Sequence, residues 1–306
     1  MRLARSSPIS APPVRKQSQS TCSGRMVVSP TGWFVLKRPV ANCHFALRFR
    51  SAPEQRPRTP GRDRRAAVIS AVLFDLDGTL MDHRGAAAIA LRTCLGAAGR
   101  VDSGQLANLE RQWFSLERTH MDAFLAGDCT FVEQRRRRLR EFLPELGIAS
   151  GGDGDLDAWF AEYLRTYEAN WAPYGDVHSC LNDLLALSLR PKLGVLTNGE
   201  HDQQCAKIDR CGLRIFFDEV LVSQDLGHAK PARECFVEAC RRIGVAPGNT
   251  VYVGDALDID ARAAGAAGLC GLWLDRYANR SDAYCPRVES LAEVPAMISR
   301  LSVGPN

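Results

Sequence analysis

Apolar residues recur along this chain in two rhythms, and the switch between them divides it. From Ala67 a short β-branched and apolar run, AVISAVLFDLD, ends in polar turn residues, the pattern of a buried strand. Between Asp82 and about Trp171 the spacing becomes three-to-four. GAAAIALRTCLGAAG, GQLANLERQWFSLERTHMDAFLAG, TFVEQRRRRLREFL and DLDAWFAEYLRTYEANW predict four helices forming a small bundle, with Trp113, Phe114 and Phe124 in its core. After APYGDV strands and helices alternate. The helix Val177 to Leu189 precedes KLGVLTNG (strand), DQQCAKIDRCGL (helix) and FDEVLVS (strand). Then come ARECFVEACRRIGV (helix), TVYVGD (strand), IDARAAGAAGL (helix), CGLWLD (strand) and an amphipathic helix near Leu291 to Leu301. Such alternation specifies an α/β fold, an open parallel sheet covered by helices on both faces. The expected core spans residues 67–81 and 175–303, with a helical insertion at 82–174 directly after the first strand.

Charge separates the first 66 residues from the rest. They hold fourteen Arg and Lys against Glu54 and Asp63, about +12, so the remainder carries about −8 of the +4 total. This segment is rich in Pro, Ser and Arg, lacks periodicity and reads as disordered, apart from a short apolar stretch, GWFVLK, with strand character. Its acid-poor composition also suits a transit peptide, or translation from upstream of the true start. A cytoplasmic location is expected, organellar if the segment is a transit peptide. No aromatic–basic interleaving marks a nucleic-acid partner, and no apolar run approaches the roughly 18 residues of a membrane span. The eleven cysteines are odd in number and scattered without a CxxC pair. That argues against a zinc cluster or disulfide framework and for a reducing compartment.

In open α/β sheets ligands bind outside the carboxyl ends of the strands, and the unusual chemistry of this chain stands there. Asp75, Asp77, Gly78 and Thr79 follow the first strand, and Thr197, Asn198 and Gly199 the second. Lys230 and Pro231 come after the third and a short loop, and Gly254, Asp255, Asp258 and Asp260 after the fourth. Asp and Gly are also ordinary turn residues, but four such sets in register are not explained by turns alone.

In these four motifs the chain resembles the haloacid dehalogenase-like hydrolase superfamily, whose Rossmann-like core carries a helical cap inserted after the first motif. The resemblance covers roughly Val68 to Leu301. It implies that Asp75 is a nucleophile attacking phosphorus to give an aspartyl-phosphate. Asp77 would act as general acid and base, its backbone carbonyl also reaching the metal. Gly78, Thr79, Thr197 and Asn198 would border the phosphoryl group, and Lys230 would neutralise its charge. Asp75 and Asp255 would repel each other without a cation; Mg²⁺, a hard ion favouring carboxylates and phosphate oxygens, resolves the conflict with Asp75, Asp77 and Asp255 as ligands. Asp260 suits the family's second acidic position by spacing, with Asp258 as its competitor.

The resemblance implies a phosphate-monoester hydrolase acting on a small phosphorylated substrate. Dehalogenating members lack the second aspartate, which is present here as Asp77. Phosphonate-cleaving members use a cap lysine, and no lysine occurs between Met81 and Pro191. A phosphomutase, or a non-catalytic binding or regulatory protein on the same scaffold, are the alternatives; the oligomeric state is not legible. Within the cap, His83 and Arg84 are candidate substrate or lid contacts. The run EQRRRRLRE reads as a solvated helix face with one arginine turned inward, the alternative being a grip on an acidic substrate. Asp153, Asp155 and Asp157 mimic a calcium loop, but Ala158 and Leu164 stand where that loop needs Gly and Glu. A polar helix start is expected there instead.

Overall fold

The first strand, β1 (Ala71–Phe74), is wholly buried, because it lies in the middle of the sheet with layers on both sides. Ala71 and Leu73 join one apolar cluster, with Phe236, Ala239 and Ala264. Val72 and Phe74 join the other, with Leu181, Leu184 and Ile208. An unbroken apolar run is what a strand covered on both faces requires. The computed structural model describes residues 68–97, 103–278 and 285–303. The basic segment 1–66, GWFVLK included, lies outside the described residues.

Five further strands complete the sheet: β2 (Lys192–Thr197), β3 (Glu219–Val222), β4 (Thr250–Gly254), β5 (Cys270–Leu274) and β6 (Arg287–Val288). All pairings are parallel and the order is β3-β2-β1-β4-β5-β6. The chain thus winds outward from β1 in both directions, which leaves a crevice at the carboxyl end of β1 between β2 and β4. β6 was not anticipated; a two-residue strand is too short to leave a periodic signature. The layers are formed by α5 (Val177–Leu185), α6 (His201–Arg210), α7 (Ser223–Leu226), α8 (Arg233–Ile243), α9 (Ala263–Ala267), preceded by one π-turn at Asp258–Arg262, and α10 (Val294–Val303).

Between β1 and α5 stand α1 (His83–Ala97), α2 (Ser103–Leu125), α3 (Phe131–Phe142) and α4 (Asp153–Ala169). The chain leaves the core and returns through adjacent backbone segments: Asp82 N–H donates to Ala172 O (3.0 Å) and Tyr174 N–H to Leu80 O (3.1 Å). Asp82 caps α1 by accepting from Gly85 N–H (2.9 Å). Trp113 sits fully buried at the centre of the bundle against Phe142 and Tyr163, and its indole N–H donates to the Tyr163 hydroxyl (3.2 Å). Phe114 and Phe124, expected beside it in the core, are only partly buried. They fall at the edge of the apolar stripe, where α2 turns toward solvent and a cavity.

The arginine run of α3 divides by helical position. Arg136 and Arg140 point outward and bind Asp153, with Arg136 also on Asp157, while Arg138 turns inward and is buried. Asp155 accepts from Gly152 N–H (2.9 Å) at the start of α4. The three alternate aspartates therefore serve helix capping and ion pairing.

One close approach fixes the geometry behind the sheet. A Cβ on Gly271 of β5 would lie 1.9 Å from the carbonyl oxygen of Ala261, in the π-turn that carries Asp260. Gly271→Ala is expected to destabilise the protein by roughly 1–3 kcal/mol through overpacking. Gly265→Ala, whose Cβ meets no atom within 4 Å, is expected to be neutral or stabilising by about 0.5–1 kcal/mol. Paired denaturant titrations check both, and equal effects would contradict the close approach.

Candidate active site

The carboxyl ends of β1 to β4 bring together Lys230, Asp75, Asp255 and Asp260, with Asp77 beside them. Lys230 Nζ lies 2.6 Å from Asp75 Oδ1, 2.7 Å from Asp260 Oδ1 and 2.7 Å from the Tyr252 hydroxyl, all buried. The three protons of the ammonium are thereby matched to three acceptors. Tyr252, from the middle of β4, passes its own hydrogen bond to Leu196 O (2.9 Å). Asn198 fixes the lysine from behind: its Nδ2 donates to Lys230 O (2.8 Å) and its Oδ1 accepts from Lys230 N–H (2.9 Å).

Of the two acids competing for the second acidic position, Asp260 is buried against Lys230 and also accepts from Ala256 N–H (3.1 Å). Asp258 is exposed and pairs with Arg262. Several expected phosphate contacts are occupied differently. The Thr79 hydroxyl accepts from Asp255 N–H (3.1 Å). The Thr197 hydroxyl accepts from Gln204 Nε2 (2.6 Å), and the Asn198 amide is taken up by Lys230. Gly78, at φ +93°, makes room for Asp255, whose Oδ2 would stand 2.5 Å from a Cβ there. Gly78 and Thr79 thus act on the placement of Asp255.

Carboxylate oxygens of Asp75, Asp255 and Asp260 lie within 4.8 Å of one another. Burial pushes the Asp75 carboxyl up; Lys230 opposes this, but Asp260 and Asp255 add to it, leaving it at about 8. Burial, then Asp260, likewise raise Asp255 to about 6, with Lys230 opposing. One ammonium does not balance three carboxylates gathered at one point, even though Asp255, unlike the buried Asp75 and Asp260, stays open to solvent. The donor set is all oxygen, with Asp260 fully engaged by Lys230, Tyr252 and Ala256. Asp75 and Asp255 are left for a hard divalent cation, which would return both to the ionised form.

Asp77, two residues after Asp75, faces the helical insertion, and its partners were not foreseen from sequence. Lys207 Nζ reaches both of its oxygens (2.9 and 2.7 Å), and Gln204 Nε2 donates to Oδ2 (3.0 Å). Burial disfavours the carboxylate, but Lys207 and then His83 outweigh it, so Asp77 stays below the ordinary carboxylate range. A signal existed: Gln204, Lys207 and Ile208 recur at three-to-four spacing on the buried face of α6, continued by Cys211 just past its end. A lysine on an apolar helix face needs a buried acid.

His83 and Arg84 occupy the entrance to the insertion. His83 Nδ1 lies 2.7 Å from the Tyr167 hydroxyl and Nε2 3.1 Å from Glu117, while the Arg84 guanidinium stacks on Phe114 at 4.7 Å. Two cavities meet at Asp77 and these two residues. One, of 480 Å³, extends along the core past Asp255 and Tyr174; the other, of 290 Å³, reaches into the helical insertion between α2, α3 and α4.

The haloacid dehalogenase-like hydrolase family matches residues 69–268, and the chain belongs to it. Relatives include the glyceraldehyde 3-phosphate phosphatase of Methanopyrus kandleri, 34% identical over 214 residues, 66% of this chain and 82% of that protein. The N-acylneuraminate-9-phosphatase of Rattus norvegicus is 32% identical over 241 residues, 76% of this chain and 95% of its own. Among solved structures, the HAD-hydrolase YfnB of Bacillus subtilis, bound to magnesium, superposes with a TM-score of 0.62 at 25% identity, covering 76% of this chain and 99% of that one. The chain is thus a HAD-like hydrolase.

The His83–Glu117 pair makes stability depend on pH. Burial lowers the imidazole pKa, but Glu117 overcomes this and holds it above the ordinary 6.5. The pair's contribution is therefore complete below about pH 6.5 and fades as pH rises through the raised folded value. The Tm advantage of the wild type over His83→Gln is expected to shrink as pH rises above the ordinary imidazole value of 6.5; a constant difference would contradict it.

Proposed function

We propose that the chain is a Mg²⁺-dependent phosphate-monoester hydrolase that acts on a small phosphorylated metabolite through an aspartyl-phosphate on Asp75. The observation that carries this reading is the buried Lys230 ammonium shared by Asp75 and Asp260, with Asp255 facing the same point. The named relatives, phosphatases of small phosphate esters, support it, and so does the magnesium bound in the Bacillus structure.

In the first half-reaction the free carboxylate oxygen of Asp75 attacks phosphorus, and the bond from phosphorus to the ester oxygen breaks. The departing alkoxide takes a proton from Asp77, which is ionised in the free site and takes up that proton from solvent as the phosphate ester binds. Lys230 stands beside the attacking carboxylate, where phosphoryl charge accumulates, and Thr197 and Asn198 border the same position at the end of β2. In the second half-reaction Asp77, now ionised, takes a proton from water as the water attacks the aspartyl-phosphate, which releases inorganic phosphate and restores Asp75. Asp75, Asp255 and the backbone carbonyl of Asp77 would hold Mg²⁺, which supplies positive charge to the phosphoryl oxygens and keeps both carboxylates ionised. The hydrogen bonds from Lys207 and Gln204 favour the ionised Asp77 of the second half-reaction. The helical insertion covers the site and excludes water from the first.

Asp75→Asn is expected to reduce turnover of p-nitrophenyl phosphate by about 10³-fold or more, with the fold retained because the amide oxygen can still accept from Lys230. Metal-dependent hydrolysis surviving in that variant would overturn the nucleophile assignment. Mg²⁺ is expected to raise the Tm of the wild type but not of Asp255→Asn, and chelation to stop hydrolysis. Lys207→Met removes the cation beside Asp77 and raises its pKa, so the alkaline limb of the kcat/KM profile, set by loss of the Asp77 proton, is expected to move to higher pH. An unmoved limb would detach Lys207 from proton transfer.

A further inference from the structure

The 290 Å³ cavity in the insertion carries more positive charge than its own acids balance. Its two carboxylates are Asp77 and Glu117. Asp77 is taken by Lys207 and Gln204, and Glu117 by Arg138 Nη1 (3.2 Å) and His83 (3.1 Å). Arg135, on the same face of α3, forms no ion pair among the described residues. Its guanidinium is half-buried, 4.3 Å over the Phe131 ring and 5.2 Å from that of Phe160. Burial and the neighbouring Arg138 both work against its charge, and Glu200 and Glu168 only partly offset them.

Beside it are buried polar atoms with nothing to bind. Gln134 and Arg138, 2% and 3% exposed, both line the cavity. Gln134 Oε1 and Arg138 Nε and Nη2 are buried without a partner at good hydrogen-bond geometry, the Tyr163 hydroxyl beside Arg138 already accepting from the Trp113 indole N–H. Buried polar groups are satisfied in folded proteins with few exceptions, and leaving several unmet in one place is costly. Two stacked guanidinium forks held rigid on aromatic faces match the planar geometry of a carboxylate. An amide acceptor between them calls for a donor such as a hydroxyl.

We infer that this cavity is a subsite for the far end of the substrate, with Arg135 and Arg138 binding a carboxylate and Gln134 a hydroxyl. The substrate class is then the phosphate monoesters of hydroxy-carboxylic acids. The inference deepens the proposed function and rests on it for one point, that the phosphoryl group sits at Asp75 on the other side of Asp77. Arg135 sets specificity and takes no part in bond breaking.

Binding to the full-length Asp75→Asn protein with Mg²⁺, followed by calorimetry, tests the subsite independently of turnover. The probes are 3-phosphoglycerate and glycerol 3-phosphate, which differ in a carboxylate against a hydroxymethyl group, and fructose 1,6-bisphosphate. The carboxylate is expected to tighten binding about tenfold or more. Adding Arg135→Met should bring the two Kd values to within about threefold, Arg135→Lys should restore part of the difference, and Arg137→Met, whose side chain pairs with Glu133, should leave it intact. Equal Kd values for the first two probes would overturn the inference. So would an Arg135-dependent preference for the bisphosphate, which would assign the cavity to a second phosphate. A carboxylate preference in a wild-type protein that hydrolyses no phosphate ester would sustain the subsite and overturn the hydrolase reading alone.

Discussion

The ammonium of Lys230, sealed between Asp75 and Asp260, is the interaction on which the rest of the site depends. Burying one cation against two carboxylates is favourable only if every proton and lone pair is placed. Much of the surrounding sequence serves that placement. Asn198 clamps the lysine backbone, Tyr252 takes the third proton, and Gly254 lets Asp260 fold back under β4, where a Cβ would stand 2.4 Å from its carboxyl carbon. Because these residues come from four strand ends, the sheet register is also the register of the site.

That architecture sorts what could be read from sequence from what could not. Strands covered on both faces announce themselves as apolar runs, and helices on one face as three-to-four stripes, so the alternation and the helical insertion were legible. Asp75 and Asp255 were legible because they sit one step beyond those runs, and Lys230 because it follows the third strand in chain order. Asp260 over Asp258 rested on spacing alone, and the structure gives the physical ground: one side chain points under the sheet and the other into solvent. β6 and the short α7 carry too few residues for any period.

The residues around Asp77 show a different limit. Lys207 and Gln204 lie some 130 positions from it in sequence, and nothing local says which acid a buried lysine will meet. The same holds for the roles of Thr79, Thr197 and Asn198. Their residue types fit phosphate contacts, but their side chains are committed to Asp255, Gln204 and Lys230. Side-chain hydrogen bonds are set by who arrives nearby, and that is a property of topology. In α3, by contrast, a solvated face with one arginine turned inward was expected, its identity unspecified, and the helix turns Arg138 in while Arg136 and Arg140 face out.

The adjacent backbone crossings at Asp82–Ala172 and Leu80–Tyr174 bear on how the molecule reaches its native state. Ala71 must pair with Lys192 although the whole insertion intervenes, and non-local pairing of this kind is slow because chain entropy is lost before contacts repay it. If the four helices assemble first on their local contacts, they bring residues 82 and 172 together and act as a short bridge between the strands. Each halving of the effective loop lowers its closure cost by about 0.6 kcal/mol. The helical insertion would then serve, during folding, as the splint on which the central sheet is laid down.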